Sequence, residues 1–203
     1  MNQPASLPLV ASLLDAALPA SGLGWLDAAR RENRAAFAAG GLHDTRVEAW
    51  KYTALRGLAQ RSFARGAAAA PPRAVDASTL ALPGVAGVRL VFVNGAFRAD
   101  LSSLDELPAG LSLQPLSQAL LGDAEPLRFA LSRHYRDAGD AFAQINAASA
   151  SDGVVLRVAA HTKIELPVQL VFVGAEAELA WHARNVIELG AGAELCLVDQ
   201  QAS

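Results

Sequence analysis

The chain has 203 residues, of which 52% are hydrophobic and 18% charged, so it can bury a substantial core and is not a disordered composition. Its net charge of −3 gives no electrostatic reason to expect a nucleic acid or an anionic membrane surface as partner. The single cysteine, Cys196, excludes an intrachain disulfide framework and a multi-cysteine metal site. No uncharged run is long enough to cross a bilayer and no basic start precedes an apolar leader, so we expect a cytoplasmic protein.

The N-terminal part of the chain predicts a helical region. Residues 6–18 place apolar side chains on one helical face, with Pro8 in the first turn, where its missing N–H costs nothing. A second amphipathic helix is expected over residues 24–39, before a Gly-Gly stop. A short third helix is predicted over residues 54–63, with Thr53 as its N-cap.

A stretch rich in Ala, Pro and Gly follows over residues 66–87 and predicts a linker. Several arginines occur on its N-terminal side and within it, without the interleaved aromatic residues of a nucleic-acid site. We therefore expect them to form a solvated face. They are Arg56, Arg61, Arg65 and Arg73.

A β-hairpin is the clearest local prediction. Residues 88–93 form an apolar run, and Asn94-Gly95 supplies the positive φ angles of a two-residue turn before residues 96–98. Another strand is expected at residues 111–113, and further helices at 116–121, 126–135 and 140–148.

The last quarter of the chain, residues 152–199, alternates apolar and polar residues in short runs, which indicates half-buried strands. Within it, residues 171–179 are echoed by residues 187–195, sixteen positions later. A strand, a glycine turn and a strand at fixed spacing indicate stacked coils of a β-solenoid, although a β-sandwich can produce the same echo. Helices, a hairpin and then strands favour an α+β class over alternating α/β units.

No arrangement of residues predicts catalysis. The chain lacks a phosphate-binding loop, a Gly-x-Ser-x-Gly nucleophile elbow and a His-Glu-x-x-His zinc helix. His182 with Glu188 resembles a metal-binding strand of the cupin β-barrel enzymes only weakly, because the second histidine of that site is missing. Cys196 lies in a predicted strand, and we expect a buried or half-buried thiol.

One segment carries a resemblance to a known family. Arg46, Glu48 and the run Trp50-Lys51-Tyr52-Thr53 resemble the N-terminal signature of the SufB/SufD family of iron–sulfur cluster assembly proteins, in the form typical of its SufD branch. His43-Asp44 departs from the Pro-Thr usual in the family, and we expect it to loosen the turn before the signature. The similarity continues at residues 90–95 and 142–148, at Asp152-Gly153, at Arg184-Asn185 and in the glycine turn at residues 189–193.

The resemblance implies a fold of the α+β class, with an N-terminal helical region followed by the first coils of a right-handed parallel β-helix, truncated by the end of the sequence. The expected divisions are a helical region at residues 1–65, the linker at 66–87, a hairpin with helices at 88–150 and the start of the β-helix at 151–203.

The resemblance also implies a role. The chain is expected to be a non-catalytic scaffold that pairs with SufB and with the ATPase SufC, in a complex that builds iron–sulfur clusters. We expect no cofactor on this portion, because the partner SufC uses the ATP, and we expect the SufB and SufC contacts to lie mostly beyond Ser203.

The signature residues are interpreted as structural. Trp50 and Tyr52 are expected to dock the helical region on the strands, while Arg46 and Lys51 pair with Glu48 or a neighbouring carboxylate. Contact with a partner protein is the alternative. Thr53 completes the signature.

Two other functions remain open: a cupin-like metal-dependent enzyme that uses His182 and Glu188, and a free-standing solenoid adaptor without a role in cluster assembly. A solenoid cut within its stack leaves unpaired N–H and C=O groups and an uncapped apolar end. We therefore expect self-association through that open end.

Overall fold

A computed structural model describes residues 7–65, 75–76, 80, 82, 85–104, 106–137 and 139–203. The chain divides into two compact units. One, here called the helical unit, contains Met1–Arg65, Ala124–Ala150 and Glu178–His182. The other, here called the strand unit, contains Gly66–Asp123, Ser151–Ala177 and Ala183–Ser203.

The described residues form short helices and strands. The helices are α1 (Pro8–Asp15), α2 (Gly24–Gly40), α3 (Arg56–Ala59), α4 (Leu116–Ala119), α5 (Arg128–Leu131) and α6 (Ala141–Ser149). The strands are β1 (Ala64–Arg65), β2 (Val88–Val93), β3 (Ala96–Phe97), β4 (Leu111–Pro115), β5 (Val154–Val158), β6 (Val168–Val173), β7 (Leu179–Ala180), β8 (Val186–Leu189) and β9 (Leu197–Ala202). Single 3-10 turns occur at Glu48–Trp50, Ala99–Leu101 and Glu125–Leu127.

The units differ from the predicted divisions at residues 88–150 and 151–203. Residues 124–150 cluster with the N-terminal helices, because α6 packs on α2. The hairpin belongs with the later strands, because β2 pairs with β6. Most of the predicted linker lies outside the described residues, but Leu80 is buried in the core of the strand unit.

In the helical unit, α1, α2 and α6 meet around an apolar core. Val10 and Phe37 are fully buried there with Ala141 and Ile145. The amphipathic patterns of α1 and α2 predicted this burial, and both helices are confirmed. β1 and β7 form a small parallel sheet in the same unit.

Two buried polar side chains of α2 fasten this unit. Arg30, 3% exposed, donates to the Pro19 carbonyl oxygen at 2.8 Å and to the Ala150 carbonyl oxygen at 2.9 Å. Asn33, 1% exposed, donates to the Arg133 carbonyl oxygen and accepts the N–H of Tyr135. These bonds satisfy backbone groups that the irregular segments would otherwise bury unpaired.

The Asn33 contacts explain why one predicted helix is short. The helix expected over residues 126–135 ends at Leu131, as α5. In a longer helix the N–H of Tyr135 would bond within the helix, but Asn33 accepts it instead. The third helix is also shorter than predicted, and Thr53 is not its N-cap, because α3 begins at Arg56 and no side chain caps it.

The strand unit contains two sheets. The four-stranded sheet has the order β3-β2-β6-β9, in which β2, β6 and β9 run parallel and β3 closes the hairpin. The three-stranded sheet has the order β4-β5-β8, with β5 and β8 parallel. The predicted hairpin is confirmed, and Asn94 and Gly95 have φ angles of 51° and 82°.

The sixteen-residue echo does not mark two coils stacked directly on each other. In the first copy Val171 pairs with Gln200, whereas in the second copy Ile187 pairs back with Leu156. The two copies of the echo therefore lie in different sheets. In the pairs β5–β8 and β6–β9, the separation along the chain is about twice the spacing of the echo, whereas β2 and β6 are much further apart in sequence.

A buried aspartate joins the two sheets at one end of the strand unit. Asp152 is 6% exposed, and its carboxylate accepts the N–H groups of Phe97 at 3.0 Å, Ser117 at 3.0 Å and Gly153 at 2.9 Å. Phe97 belongs to β3 of one sheet, and Ser117 follows β4 of the other. Three donors compensate for the desolvation of the buried carboxylate.

The next residue allows no side chain. Gly153 has a φ of +147°, and a Cβ atom there would lie 2.1 Å from the carbonyl oxygen of Arg184. The Arg184 N–H donates to the Asp152 carbonyl oxygen at 2.9 Å, and Asn185 Oδ1 accepts the N–H of Val154. The sequence motifs Asp152-Gly153 and Arg184-Asn185 thus form one corner, here called the Asp152 corner.

We predict that Gly153→Ala destabilises the protein by about 3 kcal/mol, through the backbone clash and the unfavourable φ angle. The matched control is Gly24→Ala at the start of α2, where nothing lies within 4 Å of the added Cβ. The control should leave stability unchanged or raise it by up to about 1 kcal/mol. Urea unfolding measures both variants, and equal stability of the two would contradict this account of the corner.

Candidate partner-contact site

The signature segment, residues 44–53, forms a turn that Trp50 anchors to the helical unit. The Trp50 ring lies 3.8 Å from the ring of His43 and 5.5 Å from the ring of Phe142, measured between centroids. Its Nε1–H donates to the Gly139 carbonyl oxygen at 3.3 Å. Phe142 belongs to α6, so the anchor connects two of the sequence motifs that carried the family resemblance.

The turn is closed by its own hydrogen bonds. Asp44 accepts the Arg46 N–H on Oδ1 at 2.8 Å and the Val47 N–H on its carbonyl oxygen at 3.2 Å, which is the geometry of an Asx turn. The Thr53 N–H donates to the Trp50 carbonyl oxygen at 2.9 Å. The expectation that His43-Asp44 loosens this turn is wrong, because Asp44 closes it and His43 packs on Trp50.

Most of the signature side chains face solvent. Tyr52 is 91% exposed, and the Lys51 ammonium lies 5.6 Å from the centroid of its ring. The Arg46 side chain, 92% exposed, pairs with Asp44 at 3.4 Å and not with Glu48. Glu48, Lys51 and Thr53 are exposed as well.

The signature therefore divides into an anchor and an exposed surface. The Trp50 contacts with His43, Phe142 and Gly139 lie within the helical unit, so the expected docking of the helical region on the strands stays a prediction. For the five exposed residues, the solvent-facing positions agree better with the alternative of partner contact. Both roles remain predictions.

His43 is the part of this site that the sequence did not reveal. It is 8% exposed, and neither ring nitrogen has a hydrogen-bond partner in the part of the chain that the structure describes. Burial lowers the pKa of the His43 imidazole, because an apolar environment disfavours the charged form. The sequence signal was only a lone histidine after a Gly-Gly helix stop.

His182 and Glu188, the metal pair expected for a cupin-like enzyme, belong to different compact units of the chain. The Glu188 carboxylate pairs with Arg157 at 2.5 Å. His182 lines a small cleft of the helical unit with Ser12, Phe63 and Ser149. Across the described residues, no group of three or more His, Cys, Asp or Glu side chains could hold a metal ion.

Two smaller expectations need correction. The Cys196 thiol is exposed, not buried or half-buried, because it precedes the edge strand β9. Arg61 is not merely solvated, because it pairs with Glu178 and lies over the Phe63 ring. Arg56 is exposed as expected, whereas the Arg65 side chain and Arg73 lie outside the described residues.

A family model described as the SufBD protein N-terminal region matches residues 15–170. This chain belongs to the SufBD family. An iron–sulfur cluster assembly SufBD family protein of Synechocystis sp. is 29% identical over 127 residues, which cover 63% of this chain and 28% of that relative. The chain thus spans less than a third of the length of the curated relative it matches.

These matches confirm the resemblance to the SufB/SufD family and assign the chain to its N-terminal portion. The name of the Synechocystis relative refers to iron–sulfur cluster assembly. The narrower assignment to the SufD branch stays a prediction. No helix among the described residues has the length and apolar character needed to span a membrane.

We predict that the burial of His43 lowers the free energy of unfolding of this chain in mild acid. The unfolded chain binds a proton near the ordinary pKa of 6.5, whereas burial holds the folded pKa lower. The stabilising contribution is therefore complete above 6.5 and is lost as pH falls through the folded pKa.

The test compares melting temperatures of the wild type and His43→Phe between about pH 7.5 and about pH 5.5. The variant keeps the ring stack and should show a smaller loss on acidification. The exposed His161, replaced as His161→Asn, is the control and should behave as the wild type. Parallel pH profiles of the wild type and His43→Phe would contradict the prediction.

Proposed function

We propose that this SufBD chain is a non-catalytic scaffold component of iron–sulfur cluster assembly. The observation that carries the proposal is the family match over residues 15–170. The name of the Synechocystis relative points to the same process. An anchored turn with an exposed aromatic side chain is a feature that suits a scaffold, because rigid display lowers the entropic cost of binding.

We further propose that the gene product acts as a SufD-type subunit in the cytoplasm, paired with a SufB homologue and the ATPase SufC. ATP is then used by SufC, and the cluster is cargo of the complex and not a resident cofactor of this chain. Since the chain spans 28% of its relative, we expect the main SufB and SufC contacts outside these 203 residues.

For the fold, we propose that the parallel strands are the opening coils of a right-handed β-helix. Nearly equal lengths of chain separate the last parallel pair of each sheet, since Val171 pairs with Gln200 and Leu156 pairs with Ile187, and this regularity supports the proposal. The earlier pair, β2 with β6, is separated by a much longer stretch of chain. Burial supports it too, because β6 is buried at every position whereas β9, the last strand of the same sheet, alternates between exposed and half-buried. Such a gradient is expected where further coils can be added.

The experiment tags the gene that encodes this chain at its N-terminal end in the native host and purifies its product under mild conditions. SufB and SufC homologues should co-purify at comparable molar amounts, as measured by quantitative mass spectrometry. A free-standing adaptor would be recovered without them, and that outcome would overturn the proposal.

The same strain separates the two roles of the signature. Trp50→Ala should lower the yield of folded product while leaving the SufB content per folded molecule unchanged, because Trp50 faces the inside of the helical unit. Tyr52→Ala should leave the yield unchanged, because Tyr52 is 91% exposed. A normal yield of Trp50→Ala with loss of SufB would assign Trp50 to the partner contact.

The purified 203-residue chain is expected to self-associate through β8 and β9, which are the edges of their sheets. Ile187, Leu189 and Leu197 are 42%, 51% and 36% exposed there. Val168 of β6 is paired with Leu197, and its N–H donates to the carbonyl oxygen of Cys196. In this register the even-numbered residues of β9 form the hydrogen bonds to β6. Odd-numbered residues therefore direct their N–H and C=O groups outward.

Analytical ultracentrifugation should show concentration-dependent association of the wild type. Asp199→Pro removes an outward N–H and should weaken association without unfolding the protein. Val198→Pro is the control, since it breaks a bond to β6 and should lower stability. A wild type that stays monomeric at every concentration would contradict the expectation.

A further inference from the structure

His43 is a buried imidazole without a polar partner in the part of the chain that the structure describes. It is 8% exposed, and neither ring nitrogen makes a hydrogen bond there. Its ring instead contacts two aromatic rings, with its centroid 3.8 Å from that of Trp50 and 5.6 Å from that of Phe142. Buried polar atoms in folded proteins nearly always have partners, so this exception asks for a physical explanation.

The same imidazole takes part in attaching the signature turn, residues 44–53, to the helical unit. The Trp50 ring packs on His43, and its Nε1–H donates to the Gly139 carbonyl oxygen at 3.3 Å. Trp50 and Val47 are half-buried, and every other residue of the turn is exposed. The turn is therefore attached through few side chains, and the His43 ring supports one of them.

The turn can move without taking the core of the helical unit apart. The buried cluster of that core contains no residue of the turn, and its members are Val10, Phe37, Ala141 and Ile145. Leu42 packs against this cluster, so the chain stays fixed as far as the residue before His43. Within the turn, the Val47 N–H donates to the Asp44 carbonyl oxygen. Such local bonds do not tie the turn to the helices, and opening of the segment breaks mainly the Trp50 contacts.

Protonation changes which position of the His43 ring is favourable. A neutral imidazole can remain buried, whereas an imidazolium carries a charge and two N–H donors that have no acceptor among the described residues. Aromatic faces attract a cation. Desolvation outweighs that attraction here, because burial lowers the pKa of the His43 imidazole. In water both N–H groups of the imidazolium are hydrated.

The charged groups around the ring do not compensate for its burial. The last turn of α2, residues 37–40, and the whole of α6 carry no titratable side chain. The charged residues on the signature turn and on the chain leading into α6 are Asp44, Arg46, Glu48, Lys51, Asp137 and Asp140. Asp44 pairs with Arg46, and Asp140 accepts the N–H of Asp137 at 3.1 Å. None of these side chains forms a hydrogen bond with His43.

We propose that His43 is a pH-sensitive switch, in which protonation of the imidazole releases the signature turn from the helical unit while the helices stay packed. In the released state Trp50 leaves its ring contacts. The exposed residues of the turn, among them Tyr52, are then no longer held in one arrangement. The switch is a property of this chain, does not rest on the assembly role, and places the acid sensitivity in one segment.

The size of the effect follows from a single proton. The released imidazole titrates at its ordinary pKa of 6.5, whereas the buried imidazole titrates lower. The equilibrium constant for release therefore rises by up to about ten-fold between about pH 7.5 and about pH 5.5.

The experiment measures hydrogen exchange of the Trp50 indole N–H by NMR, in the complete gene product labelled with 15N-tryptophan. Trp50→Phe assigns its signal among those of the three tryptophans. After correction for the chemical exchange rate at each pH, its protection should fall by about three- to ten-fold over this range. A change of less than about two-fold overturns the proposal.

Two neutral variants test the role of His43. His43→Phe keeps an aromatic ring and should make the protection of the Trp50 indole independent of pH. His43→Gln should do the same if the phenylalanine variant does not fold. The exposed His161, replaced as His161→Asn, is the control and should behave as the wild type. A pH dependence that persists in the His43 variants assigns the effect to another group and overturns the proposal.

Urea separates local release from unfolding of the whole unit. The backbone N–H groups of Phe37 in α2 and Ile145 in α6 report on the core. The Trp50 indole should be less protected than both at every pH. Low urea should lower its protection much less than theirs, because local release exposes little surface. Equal protection and equal urea dependence of the three groups would mean global unfolding, and that result overturns the switch.

Discussion

The carboxylate of Asp152 is the contact on which the strand unit depends. Its two oxygens accept the N–H groups of Phe97 and Ser117, which belong to segments of different sheets. Each unsatisfied donor would cost about 1–3 kcal/mol if the carboxylate were removed. The corner also needs a residue without a side chain at position 153, because a Cβ atom there would lie 2.1 Å from the carbonyl oxygen of Arg184.

The strands of the four-stranded sheet beside this corner are held together by backbone pairing. β2, β6 and β9 pair in parallel, in that order. The rings of Phe92 in β2 and Phe172 in β6 stack on each other, with their centroids 5.1 Å apart. Every residue of β6 is buried, whereas the residues of β9 alternate between exposed and half-buried.

The helical unit separates support from display. Arg30 and Asn33 satisfy buried carbonyl groups, and Trp50 holds the signature turn beside His43. Tyr52 is carried on this support and remains in solvent. A rigid support beneath an exposed aromatic ring is costly for a protein that works alone, because the ring stays hydrated, and it is useful for one that binds partners.

The sequence by itself determined the local elements and the family. The apolar stripes predicted α1 and α2, and Asn94-Gly95 predicted the hairpin turn, because these features depend on residues close together in the chain. The signature around Trp50 was sufficient to indicate the SufB/SufD family, which the match over residues 15–170 confirmed.

Only the tertiary structure decided which distant groups meet. Period-two alternation describes the two faces of a strand but not its partner, so the sixteen-residue echo did not indicate that Val171 pairs with Gln200. Helical propensity continued past Leu131 in the sequence, but Asn33, from the distant helix α2, takes the N–H that a longer helix requires. The exposure of Tyr52 and the burial of His43 were hidden for the same reason. Whether a side chain is buried depends on which distant segments pack against it, and the local sequence pattern describes only the segment that carries the side chain.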